Sequence, residues 1–127
     1  MHLSRRMVGL VISSTMKAAV YHGPGDVRIE TVDTPSPSPN QVLLKVLRSG
    51  MCGTDASEYK SGPKIFATQN KHPISGHQGP MILGHEFIGE IVAVGSSVDK
   101  YSVGDLVATG AGYSCGNCRM CQDGRTN

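Results

Sequence analysis

Between Ile82 and Gly95 the chain reads ILGHEFIGEIVAVG, an apolar, glycine-punctuated run broken once by His85-Glu86. Phe87 to Val94 is short and rich in Ile, Val and Phe, and Gly84 and Gly95 bound it, which is the pattern of a largely buried strand. Alone, a His-Glu pair at a strand mouth is most simply a hydrogen-bonded histidine beside a solvated charge. The pair is not alone. Cys52-Gly53-Thr54-Asp55 places a thiol, a hydroxyl and a carboxylate at the end of another apolar run, Val42 to Leu47. Thiolate, imidazole and carboxylate are the zinc ligand types, and a catalytic zinc takes about three protein ligands with one position open to water or substrate. Cys52 and His85, with Glu86 beside them, are the candidate set.

The glycines and prolines decide the fold class. Sixteen Gly and seven Pro in 127 residues, with 5% aromatics, predict many turns and short strands and a mainly β domain. Lys17 to Tyr21, the turn Gly23-Pro24-Gly25-Asp26 and alternating Val27 to Val32 read as a hairpin. Thr34 to Pro39, with three prolines, forbids regular structure and reads as a surface connection rather than a polyproline ligand. Gln41 to Ser49 resumes as a buried strand. Thr54 to Lys60 is expected to form a short helix with Thr54 or Asp55 near its N-cap. Asp55 then has two possible uses: capping that helix, or accepting the free ring N–H of a zinc-bound histidine. Ser61 to Pro80 is long and irregular, a form uncommon unless functional. Its His72 and His77 read as solvated loop residues, with a substrate-pocket lining as the lesser alternative. Val98 to Tyr101, the Gly104-Asp105 turn and Leu106 to Thr109 predict one more hairpin-like element.

A net charge of +2 with scattered basic residues argues against nucleic acid or an anionic membrane as partner. The sequence has no apolar stretch of the roughly 20 residues a membrane span needs. Residues 1–15 have a basic start but an apolar patch, Met7 to Ile12, shorter than the roughly 7 to 15 residues of an export signal core. They are expected to be a flexible extension, Met16 is the candidate true start, and the setting expected is cytoplasmic.

Cys115, Cys118 and Cys121 form C-x-x-C-x-x-C. Three clustered thiols without an export signal read as metal ligands rather than a disulfide framework. An iron-sulfur run of the bacterial type would need a further cysteine where Arg125 stands, so zinc is preferred. A structural zinc takes about four ligands, and the residues after Cys121, QDGRTN, offer no fourth cysteine.

The segments MKAAVYHGPGDVRIE, CGTD, GHEFIGEIVAVG, VGDLVATG and CGNCRMC together resemble the N-terminal part of the zinc-dependent medium-chain alcohol dehydrogenases, from Met16 to the end. Gly62 to Pro80, with HPISGHQGP just before ILGHE, is most similar to the butanediol and polyol dehydrogenase group. The resemblance implies a GroES-like, partly open β-barrel over residues 16–127, with short helices and a cysteine-rich zinc lobe in which this sequence stops. A Rossmann domain would follow. It further implies Cys52 and His85 as catalytic zinc ligands, Glu86 as a carboxylate that can exchange onto the metal, and Asp55 as the partner of His85. Thr54 would be the hydroxyl between substrate oxygen and solvent, and Cys115, Cys118 and Cys121 three of four structural zinc ligands. The implied activity is oxidation of a small secondary alcohol or vicinal diol with NAD or NADP, by a homo-oligomeric parent. Two departures stand out. Ser57 occupies a position where related enzymes often carry a relay histidine, and no G-x-G-x-x-G dinucleotide fingerprint is present. Hydride transfer by this chain alone is therefore not expected, and a non-catalytic zinc-binding, GroES-like interaction module or an inactive gene fragment remains the alternative.

Overall fold

In the computed structural model, residues 11–73, 75–110, 112 and 114–125 are described. Most of the expected N-terminal extension, residues 1–10, lies outside them. The first hairpin forms where the turn residues dictate: β1 (Thr15–Gly23) pairs antiparallel with β2 (Asp26–Asp33), and Gly25 takes the positive φ of 73° that closes the turn. The proline segment that follows is irregular, and β3 (Val42–Ser49) begins beyond it. Gly95 is pressed against the carbonyls of Ser38 and Pro39, so the connection lies flat against the end of β5 (Phe87–Val94).

The run from Ile82 to Gly95 does not belong to one strand. Met81–Ile82 forms β4 and pairs with β1, giving a sheet of order β2-β1-β4. Four residues later the chain enters β5, which pairs antiparallel with β3 and with β6 (Leu106–Ala108) in a second sheet of order β3-β5-β6. Gly84, at φ 102°, makes the bend between them. His85 and Glu86 sit at this corner.

Burial corrects the expectation for β3 and β5. Gly89 and Ile91 of β5 are buried, but Ile88 is 47% exposed, and on β3 Val46 is 52% exposed. The reason is coverage. The helix α1 (Gly53–Ser61) packs on β1, not across the second sheet. The core collects instead around Ala18, Val20, Tyr21, Ala67 and Ile91. Tyr21 is fully buried, meets Phe66 edge-on at 5.3 Å between ring centres, and donates its hydroxyl to the Glu58 carbonyl at 2.9 Å. The second correction concerns Val98 to Tyr101, which form no strand. That loop returns through Gly104 and Asp105, whose backbones bond Ile91 at 2.8 and 2.9 Å, and so delivers β6 to the free edge of β5. A short helix, α2 (Arg119–Gln122), ends the cysteine segment. Among the described residues no helix is long and apolar enough to cross a membrane.

Candidate metal centres

Cys52 is the N-cap of α1, so its backbone is extended while the next residues turn into the helix. Its N–H is donated to Asp55 Oδ2 at 2.9 Å, which closes a capping box around the helix start. Asp55 therefore stands at the third helical position and not at the N-cap, and it is almost fully buried. Its other oxygen, Oδ1, has no hydrogen-bond partner and lies 3.8 Å from Nδ1 of His85.

The corner before β5 holds His85 and Glu86 from the other side. Gly50 donates to the Glu86 carbonyl at 2.7 Å, tying the corner to the chain just before Cys52. Thr109 ties it to β6: its Oγ1 accepts the Phe87 N–H at 3.1 Å, and its N–H is donated to the Phe87 carbonyl at 2.9 Å. As a result one ligand atom each from Cys52, His85 and Glu86 lies within 4.8 Å of the others. The thiol and imidazole are half-buried and the carboxylate is exposed. Thr54 is half-buried next to this group, its Oγ1 3.8 Å from the Cys52 sulfur.

This donor set fits a zinc ion. Thiolate, imidazole and carboxylate suit zinc, and three protein ligands leave one position open. The unpartnered Asp55 oxygen is the independent mark of fit. A buried acceptor without a donor is costly, whereas an imidazole bound through Nε2 presents its Nδ1–H on the side where Asp55 lies.

The cysteine lobe forms a second cluster. Sγ of Cys121 lies 3.8 Å from that of Cys115 and 3.5 Å from that of Cys118. Tetrahedral zinc with Zn–S bonds of about 2.3 Å separates its sulfurs by about 3.8 Å, so the spacing is close to that of a loaded site. Backbone N–H groups of Asn117 and Cys118 point at the Cys115 sulfur and lower its pKa to about 7. The hydrogen bond to Cys118 holds Cys121 above the ordinary thiol value.

Two hollows lie nearby. An open cleft of about 480 Å³, lined by Arg48, Ser49, Gly50, Glu86, Phe87, Ile88, Ala108 and Thr109, gives access to the Glu86 side of the first centre. A second, of about 340 Å³, is lined by Phe66, Met81 and their neighbours together with His72 and His77. It includes none of the candidate ligands, and these two histidines bond within their own loop, His72 to Ser75 and His77 to the Pro80 carbonyl. Sequence reading missed Thr109 and Glu58. VGDLVATG contains no sign that its threonine clamps the corner. TDASEYK looks like a solvated polar helix, yet Glu58 is 1% exposed and accepts the backbone N–H groups of Lys64 and Ile65.

Residues 38–127 match the alcohol dehydrogenase GroES-like domain family. Sorbitol dehydrogenase of Bacillus subtilis (strain 168) is 43% identical over 116 residues, which cover 91% of this chain and 31% of that enzyme. The crystal structure of 2R,3R-butanediol dehydrogenase from Bacillus subtilis superposes with a TM-score of 0.70 at 42% identity, over 72% of this chain and 26% of that one. A structure described as a short chain alcohol dehydrogenase (rspB) from E. coli CFT073, complexed with cofactor NADH, gives a TM-score of 0.71 at 33% identity, over 90% of this chain and 30% of that one. The chain thus spans less than a third of the length of the relatives it matches.

Proposed function

Because the chain belongs to the alcohol dehydrogenase GroES-like domain family, we propose that it is the catalytic N-terminal portion of a zinc-dependent dehydrogenase acting on a small secondary alcohol or vicinal diol, with NAD or NADP as hydride acceptor. The observation that carries this reading is the convergence of Cys52, His85 and Glu86 beside the unpartnered Asp55 oxygen. Zinc bound there would supply Lewis-acid polarisation of the substrate oxygen. Cys52 and His85 would hold the metal, and exposed Glu86 could exchange onto it. Asp55 fixes the tautomer of His85 by accepting Nδ1–H. Thr54 Oγ1 would accept the hydrogen bond of the substrate hydroxyl and relay its proton, releasing its own hydroxyl proton toward solvent as it receives that one. The hydride acceptor would be a nicotinamide held by a nucleotide-binding domain, for which this sequence has no phosphate-binding fingerprint. The zinc lobe of Cys115, Cys118 and Cys121 serves structure.

The test is made in the full-length native protein. Cys52→Ser or His85→Ala is expected to lose one zinc per chain and dehydrogenase activity together, while Thr54→Ala keeps the zinc and slows turnover. Undiminished activity in zinc-free Cys52→Ser protein refutes the metal role. A native protein that binds zinc and turns over no alcohol leaves the interaction-module reading in its place.

A further inference from the structure

We propose that Thr109 is a positioning residue of the Cys52 centre, whose hydroxyl fixes the peptide between Glu86 and Phe87 and through it the aim of His85 and Glu86. The inference rests on the dehydrogenase reading above, in which these two side chains meet a metal. A peptide group is planar, so one bond to its carbonyl and another to its N–H leave it little freedom to turn. The 86–87 peptide has both. Gly50 donates to its carbonyl at 2.7 Å from the β3 side, and its N–H is donated to Thr109 Oγ1 at 3.1 Å on the β6 side. Gly50 stands two residues before Cys52. One hold therefore belongs to the segment that delivers the thiol, the other to the residue that follows β6, and the backbone angles that aim the Glu86 side chain are set between them.

Strand pairing does not need this hydroxyl. The Thr109 N–H already extends the β5–β6 ladder one step beyond the Ile88–Ala108 pair, reaching the Phe87 carbonyl at 2.9 Å. A valine would keep that bond and suits a strand as well. What the hydroxyl adds is directed at the corner. Its oxygen accepts the Phe87 N–H, and its single proton has the Phe87 carbonyl at 3.2 Å and the His85 carbonyl at 3.4 Å within reach. Both peptides flanking Glu86 thus meet one oxygen atom. Thr109 is half-buried and lines the same open cleft as Glu86.

The test uses the full-length native protein, with cobalt(II) exchanged into the Cys52 centre and zinc left in the cysteine lobe. Thr109→Val is expected to shift the cobalt absorption bands and to weaken cobalt binding about tenfold, measured by competition with a chelator. Thr109→Ala, which also keeps the backbone pairing, should do the same, and Thr109→Ser should restore the wild-type spectrum and affinity. A role confined to fold stability moves the urea midpoint but not the spectrum of the folded protein. A wild-type spectrum and affinity in either Thr109→Val or Thr109→Ala overturns the proposal, as does a Thr109→Ser spectrum equally disturbed. A wild-type protein that takes up no cobalt at Cys52 is a different failure: it overturns the metal reading itself, and the positioning role falls with it.

Discussion

The carboxylate of Asp55 faces the ring of His85, with 3.8 Å between Oδ1 and Nδ1, while its second oxygen is committed to the Cys52 N–H. One side chain therefore joins the start of α1 to the corner before β5. Helix capping does not exclude a role toward His85 at this position, since the cap engages only one of the two oxygens. The cap fixes the carboxylate, and the fixed carboxylate aims at the ring.

Asp55→Asn separates the two tasks. Its side-chain oxygen still caps Cys52, so stability changes little, but an amide N–H2 then faces Nδ1–H. Zinc affinity at the Cys52 centre is expected to fall about 10- to 100-fold, measured by competition with a chromophoric chelator. Asp55→Ala adds a loss of about 1 kcal/mol from the cap. Equal zinc affinity in Asp55→Asn would show that the ring does not depend on this carboxylate.

Metal content should divide by centre. Cys52→Ser and Cys118→Ser are each expected to reduce bound zinc at their own cluster and leave the other loaded, as read by elemental analysis after removal of free metal. Loss of both zincs from either variant would mean that the clusters fold as one unit.

Zinc binding at the cysteine lobe is expected to weaken as pH falls. Cys115, with its pKa at about 7, is largely thiolate above neutrality and must shed a proton below it. Cys121, held above the ordinary thiol value, sheds one across the whole neutral range. Apparent affinity should therefore drop as pH falls, and more steeply below pH 7, where Cys115 adds its proton to the count, than above it. A pH-independent affinity would contradict thiolate ligation.

Glu58→Ala removes the buried carboxylate that accepts the N–H groups of Lys64 and Ile65 and should cost about 1–3 kcal/mol, measured by urea unfolding. Glu58→Gln retains one acceptor and should cost less.

Gly95→Ala drives a methyl into the carbonyls of Ser38 and Pro39, and a loss of about 1–3 kcal/mol is expected. Gly23→Ala is the control, because nothing lies within 4 Å of the added carbon. Equal stability of the two variants would show that the proline connection yields.

The hairpin of β1 and β2 was legible because Gly23-Pro24-Gly25-Asp26 allows little else. The candidate ligands were legible because thiol, imidazole and carboxylate at strand ends are chemically conspicuous. The split of Ile82 to Gly95 between two sheets was not, since hydrophobic content is continuous across it and only the positive φ of Gly84 marks the bend. Half-exposed Val46 and Ile88 could not be foreseen either. Periodicity reports which residues are apolar, but not whether another layer covers them. Glu58 looked like any solvated helical charge, because its two partners lie in a loop whose path the sequence does not encode locally.

The corner at residues 83–86 also works as a caliper. Gly89 lies against the backbone of β3, where an added Cβ would come within 2.8 Å of the Lys45 carbonyl oxygen, so β5 admits a glycine and nothing larger at that point. Losing or gaining one residue between β4 and β5 would carry Ile88 or Glu90 into that slot and turn the strand over. Chain length through the corner is thus frozen by packing several residues away. Substitution of the side chains at 85 and 86 leaves this register intact, whereas an insertion or deletion in the corner breaks it.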